Sequence, residues 1–307
     1  MTPPQQKTGE ETHYEAVVVG GGFAGLTAAL WLGRFHRRTL VLSAGPSRNA
    51  PAQVAHGYPG FDGANPGELL DKLEAEVDQY PSVTRRTAWV DTAAQDGDQF
   101  CITAGELAVT ADRVVLATGI RDVQPDLPGF ADYEGRSIWH CPACDGYEYT
   151  GKPIVVVGNG EHVAGYAQEL MPYADPLTIV TLGSTLAGSA EDLAALAPRG
   201  IEVHEQAIHR LHGADGQLEA VELADGTVLE AAAVFYSLGH EPLSELAKQL
   251  GCEVGAEGLV VDRRQETTTT GVYAAGDLAP LEELVVVAAA MGAVAANNLH
   301  QSLGPGS

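Results

Sequence analysis

Positive charge is what this chain of 307 residues has least of: 17 Lys and Arg stand against 41 Asp and Glu, giving a formal net charge of −24. A protein that holds nucleic acid neutralises phosphates with clustered cations, so that class is excluded. Long apolar runs are missing as well. No stretch of ~18 apolar residues occurs, which leaves no membrane span to expect. The opening residues, Met1 to Tyr14, are polar and lack the basic start and apolar run of a signal peptide, so the reading is a cytoplasmic protein. Cysteine is scarce, at four residues. That is too few for a disulfide framework, and in the cytoplasm a close pair is chemistry rather than a staple. What is plentiful is glycine, 36 residues, within a chain that is 45% hydrophobic and 19% charged. Such a composition suits a globular protein that packs helices closely on sheets, and the length predicts about two domains.

The first motif is local. Glu15 to Gly25 reads E-A-V-V-V-G-G-G-F-A-G, a β-branched run that turns at glycines and enters the apolar-periodic stretch Leu26 to Phe35. With Thr39 to Leu42 as a second strand, this is a βαβ unit. Gly20, Gly22 and Gly25 have the spacing that permits a tight turn, approach of backbone amides to a pyrophosphate, and close packing of helix on strand. About twenty residues on, an Asp or Glu would bind a ribose; Ser43 stands there, so the motif alone leaves NAD and FAD open.

The same design recurs. Ile154 to Gly160 repeats the strand and turn at an offset of 158 − 20 = 138, which carries Gly22 onto Gly160 and Thr39 to Leu42 onto Leu177 to Val180. Strands ending in glycine, Val114 to Gly119 and Val234 to Gly239, mark where the chain crosses between domains. The expected fold is α/β, with two dinucleotide-binding, Rossmann-like domains, the second inserted into the first. Residues 1–118 and 242–307 form the FAD-type domain, and 119–241 the inserted one.

The strongest chemical signal is Cys141-Pro142-Ala143-Cys144-Asp145-Gly146, preceded by His140. Zinc would need about four ligands at suitable spacing, and one pair with one His falls short, so no metal is expected. A redox pair fits better: vicinal thiols close a small disulfide ring, and a helix starting there lowers the thiolate pKa. Cys101 and Cys252 stand alone and read as small hydrophobes, and His204, His209 and His212 read as a solvated face.

Gly271 to Asp277 places a carboxylate after a short strand, and together with Ala117-Thr118-Gly119 it resembles the corresponding segments of the two-dinucleotide-domain flavoprotein disulfide reductases. From Tyr14 to His300 the order of motifs is similar to that of low-molecular-weight thioredoxin reductases. The resemblance implies FAD, bound by Gly20, Gly22 and Gly25 with Asn49, Thr118, Gly119, Gly276 and Asp277, the last on the ribityl chain. It implies that Cys144 faces the flavin, that Cys141 attacks the substrate disulfide, and that Asp145 manages the proton. A homodimer, rotation of the inserted domain, and a thioredoxin-like protein or a small-molecule disulfide or dithiol as partner follow from the same likeness. Gly45 to Asn49, His56-Gly57 and Asp62-Gly63 resemble a side branch, the dithiol oxidases that deliver electrons to oxygen. In that branch a His often follows the second cysteine, where this chain has Asp145. Reductase, oxidase and a non-enzymatic flavoprotein redox sensor therefore all stay open.

The second βαβ unit departs from the likeness. Gly25 maps onto Val163, a β-branched side chain where helix and strand should touch. Where the family clamps a 2′-phosphate, the chain has Thr181 to Thr185, and no Lys or Arg lies between Leu177 and Ala190. NADPH is thus an unlikely donor, and a redox protein is a possible one.

Overall fold

The structure, a computed structural model, describes residues 12–304 and divides the chain into two compact units. The first contains the chain up to Arg48, Gly67–Arg121 and the part from Pro242 on; the second contains Asn49–Pro66 and Asp122–Glu241. The sequence reading leaves residues 49–66 within the first stretch, whereas here they pack with the second unit.

In the first unit, the valine run forms β1 (Thr12–Val19). Its alternation feeds two cores: Val17 and Val19 pack with Leu40, Leu42 and Leu116, while Ala16 and Val18 pack with Leu26, Leu32 and Val41. A strand buried on both faces needs apolar residues at every position, which is why the run is unbroken. Helix α1 (Phe23–Arg34) and β2 (Thr39–Ser43) complete the βαβ unit. Helix α2 (Pro66–Val77) leads to β3 (Val83–Thr87), followed by β4 (Thr92–Asp96), β5 (Gln99–Ala104) and β6 (Leu107–Leu116). The sheet order is β3-β2-β1-β6-β5-β4, with Val272–Ala274 parallel to β6 as a seventh strand. The terminal helix Val285–Ser302 lies against α1, and its Gly292 sits so close that a Cβ there would come within 2.1 Å of the Ala24 carbonyl.

Arg37 stands three residues past the end of α1. Its buried guanidinium donates to Glu15 Oε1 at 2.7 Å, to His300 Nδ1 at 2.9 Å and to the carbonyls of His300 and Gly304. This clamp ties the terminal helix to the first strand, and each buried donor has an acceptor.

The second unit has a five-stranded parallel sheet in the order Glu202–His204, Ala174–Val180, Lys152–Val157, Ala233–Tyr236 and Ile138–Trp139. A three-stranded antiparallel sheet, Ile208–Ala214, Gln217–Leu223 and Val228–Glu230, shares its core through Leu211, Leu218 and Val221. The segment 49–66 meets this unit where Pro51 lies over Gly135: a Cβ there would stand 2.0 Å from the Pro51 carbonyl, and φ is +67°. Only glycine meets both demands.

Candidate active site

The glycine turn of the first unit is tight at two of its glycines and open at the third. Gly20 has φ +115°, and a Cβ on it would meet the Ala117 carbonyl at 2.1 Å. A Cβ on Gly25 would meet the Gly20 carbonyl at 2.0 Å, so α1 rests directly on the turn. Gly22 is different: nothing lies within 4 Å of where its Cβ would be. Gly22 also caps α1 without a side-chain hydrogen bond, so no side chain of its own fills the approach to the helix N-terminus. That open approach to a helix N-terminus is where a pyrophosphate fits. Beside it, a cavity of about 370 Å³ is lined by Gly21, Val41, Ser43, Arg85, Arg86 and Thr87, among others. Arg85 is held there by Asp78 at 2.7 Å and Glu74 at 3.1 Å. These residues fit the adenosine half of FAD, which when bound supplies the two-electron chemistry. Sequence reasoning did not single out Arg85 or Arg86, although adjacent arginines in a chain so poor in cations were a signal.

Asp277 follows the strand Val272–Ala274, with Gly276 at φ +76° beside Ala24. It does not cap the terminal helix, which starts at Val285 with Leu284 as its cap. Asp277 instead pairs with Arg48 at 3.1 Å, and Arg48 also reaches Glu283 at 2.6 Å. Thr118 and Gly119 hold the returning chain: Thr118 Oγ1 donates to the Leu243 carbonyl at 2.7 Å, and Leu243 N–H donates to the Gly119 carbonyl at 3.0 Å. Asn49 begins the second unit, whereas the other residues assigned to FAD lie in the first.

In the second unit the matching turn is closed. The helix there is Val163–Leu170, and its start lies two residues later than the offset of 138 from Phe23, which points to position 161. Val163 is fully buried, and a Cβ on Gly158 would meet its Cγ2 at 2.8 Å. The space over Gly160 is taken by the His162 ring, 2.7 Å from where a Cβ would be, and His162 Nε2 lies 3.3 Å from the Ser237 carbonyl. Thr181, which stands where a ribose-binding acid would, is buried and its hydroxyl bonds the Ser184 carbonyl.

The second unit also carries the cysteine pair, joined as the disulfide Cys141–Cys144 with Cα atoms 5.3 Å apart. Pro142 to Asp145 form a single helical turn with Pro142 at its first position, a place where the missing N–H costs nothing. The turn aims Cys144 N–H at Cys141 Sγ, 3.1 Å away, a bond that favours a thiolate once the disulfide opens. Asp145, next in the chain, has its carboxyl pushed up to about 7, first by desolvation and then by the negative charge of Glu148. The folded state thus keeps a proton that the unfolded chain gives up near 3.8. Stability contributed by that proton falls as pH rises across this window and changes no further above it. A carboxyl that changes charge near neutrality beside two cysteines can accept or return the proton of a thiol. Cys101 and Cys252 take no part: Cys101 is on β5 and Cys252 is buried against Thr267.

Comparison with known proteins agrees with this geometry. The pattern of the family "pyridine nucleotide-disulphide oxidoreductase" matches residues 14–292. Thioredoxin reductase aclD of Aspergillus oryzae is 33% identical over 290 residues, covering 86% of this chain and 88% of the relative. The crystal structure of HlmI superposes with a TM-score of 0.90 at 34% identity, covering 97% of this chain and 95% of that one. That of a putative thioredoxin reductase from Bacillus anthracis superposes with a TM-score of 0.87 at 29% identity, covering 94% and 98%. Members of the family are FAD-binding flavoproteins, and FAD is the cofactor here. With its glycine cradle, its redox disulfide and two Rossmann-like domains, the chain belongs to the pyridine nucleotide-disulphide oxidoreductases, as an enzyme of the thioredoxin reductase-like type.

Proposed function

We propose that this protein passes electrons between FAD and the Cys141–Cys144 disulfide and from there exchanges them with a substrate disulfide or dithiol, without NADPH as its regular donor. The observation that carries this is the contrast between the two glycine turns. Gly22 stands open, while His162 covers Gly160 and no cation follows Leu177 as far as Ala190. In this reading Cys144 is the flavin-side sulfur, Cys141 attacks substrate, and Asp145 handles the proton. Gly20, Gly22, Gly25, Gly276 and Asp277 hold the flavin, with Asn49, Thr118 and Gly119 bordering it. Electrons enter from a redox protein or from a dithiol substrate. Thioredoxin reductases act on thioredoxin-like disulfides, and a protein of that kind or a small-molecule disulfide is the partner proposed here. The protein works as a homodimer in the cytoplasm; among the described residues, no helix is long and apolar enough to cross a membrane.

A second reading is favoured by the same closed turn. If no nicotinamide donor binds, the couple can run from a dithiol through the disulfide to flavin and on to oxygen, because dithiol and flavin couples differ by modest potentials. The redox sensor is opposed by the presence of Cys141, Cys144 and Asp145 together.

Anaerobic mixing decides the donor. A charge-assisted bond to a phosphate contributes roughly 1.5–3 kcal/mol, so lacking two or three should weaken NADPH by several powers of ten at ~1.4 kcal/mol per tenfold. Micromolar NADPH and NADH should bleach the flavin slowly or not at all, and dithiothreitol should bleach it. Rapid stoichiometric bleaching by NADPH would place the protein among NADPH-dependent reductases.

A further inference from the structure

One side chain carries the segment 49–66 to the disulfide turn. Ala55 and Ala64 pair as an antiparallel bridge, with Ala55 N–H donating to the Ala64 carbonyl at 2.8 Å and Gly63 N–H to the Ala55 carbonyl at 3.0 Å. Asp62 Oδ1 accepts the Gly57 N–H at 2.8 Å, so the loop closes around His56. One face of the imidazole is then fixed, since Nδ1 lies 3.4 Å from Asp62 Oδ1. The other nitrogen, Nε2, lies 3.5 Å from Glu148 Oε1. An imidazole between two carboxylates has its orientation set by one and its polarity directed at the other.

Glu148 belongs to the turn Gly146–Tyr149, directly after Asp145. We propose that His56 is a positioning residue of the disulfide site: by pairing with Glu148 it limits the negative charge felt at Asp145, and so sets the pH at which Asp145 exchanges the thiol proton. This rests on the reading of Asp145 as the proton-handling acid. Asp145 faces Glu148 and the phenols of Tyr149 and Tyr166. Lys152 is near but spends its ammonium on the Glu148 backbone carbonyl, at 3.1 Å. His56 is thus the ring placed on the Glu148 carboxylate itself. Neither tyrosine carries charge near neutrality, because burial pushes both phenols up from 10.0.

The test uses the FAD-bound protein and dithiothreitol, following the rate of anaerobic flavin bleaching between about pH 5.5 and 9. Asp145→Asn should erase an ionisation near neutrality. His56→Gln takes the imidazole off Glu148 while keeping a hydrogen-bonding side chain, and should move that ionisation up by about half a pH unit, ~0.7 kcal/mol at 1.36 kcal/mol per unit. Glu148→Gln should move it down. The double variant His56→Gln/Glu148→Gln should match Glu148→Gln alone, since His56 then has no carboxylate to offset. A His56→Gln profile that superimposes on the parent overturns the proposal, as does a shift that persists undiminished without Glu148. Should Asp145→Asn retain the ionisation, Asp145 is not the acid and both readings fall, which separates the two failures. If His56→Gln loses its flavin, His56→Asn takes its place. It also removes the imidazole from Glu148, so it must shift the ionisation in the same direction, and no shift there overturns the proposal.

Discussion

Cys144→Ser is expected to lower dithiol-driven reduction of the flavin by about a thousandfold or more, because a serine hydroxyl neither forms a thiolate at neutral pH nor closes a disulfide. The effect is large because the two cysteines act as a unit: the single turn that brings their Cα atoms to 5.3 Å offers no third sulfur. Cys141→Ser should be as slow in turnover yet different in kind. It leaves the sulfur proposed to face the flavin, so the reduced variant should show a perturbed flavin spectrum that Cys144→Ser lacks. Visible spectra of both variants, recorded anaerobically after addition of a dithiol, check this. Identical spectra would contradict the assigned roles.

Gly25→Val should leave the protein unable to retain FAD. A Cβ at that position stands 2.0 Å from the Gly20 carbonyl and 3.3 Å from Ala117 Cβ, so α1 must move off the turn. Forcing extra carbons into such a contact costs about 1–3 kcal/mol in fold stability, and the displacement takes the helix N-terminus away from the pyrophosphate. The chain contains its own precedent. At the equivalent position of the second unit stands Val163, the helix there begins two residues later, and His162 fills the turn. Flavin content after purification and reconstitution, read from visible absorbance, measures the loss. A Gly25→Val protein that keeps its yellow colour would show that close helix packing is not what positions the cofactor.

The two turns also show what can be read from sequence. Gly20, Gly22 and Gly25 act within a few residues of one another, and a strand, a turn and a helix start are local events with local patterns. The repeat at offset 138 was readable for the same reason, and so was the Cys141 and Cys144 pair. Other features depend on contacts distant in sequence. The placement of residues 49–66 with the second unit rests on Pro51 over Gly135 and on His56 beside Glu148, and neither pair leaves a periodic trace. Arg37 stands just past α1, and its partners His300 and Gly304 lie more than 260 positions away. Asp277 was readable as a carboxylate after a short strand, but its pairing with Arg48, 229 positions earlier, was not. The degeneracy of the second turn was visible as Val163 and the missing cations, but the His162 ring over Gly160 was not, since a side-chain direction at a helix start depends on the strand exit at Ser237.

The central claim is that FAD and the Cys141–Cys144 disulfide form one electron path, and an anaerobic titration of the oxidised protein with a dithiol tests it most directly. Complete bleaching should consume two dithiols per flavin, one to open the disulfide and one to reduce the flavin, and in Cys144→Ser this coupled uptake should disappear. Bleaching of the parent protein that consumes one dithiol per flavin, and proceeds unchanged in Cys144→Ser, would contradict the account.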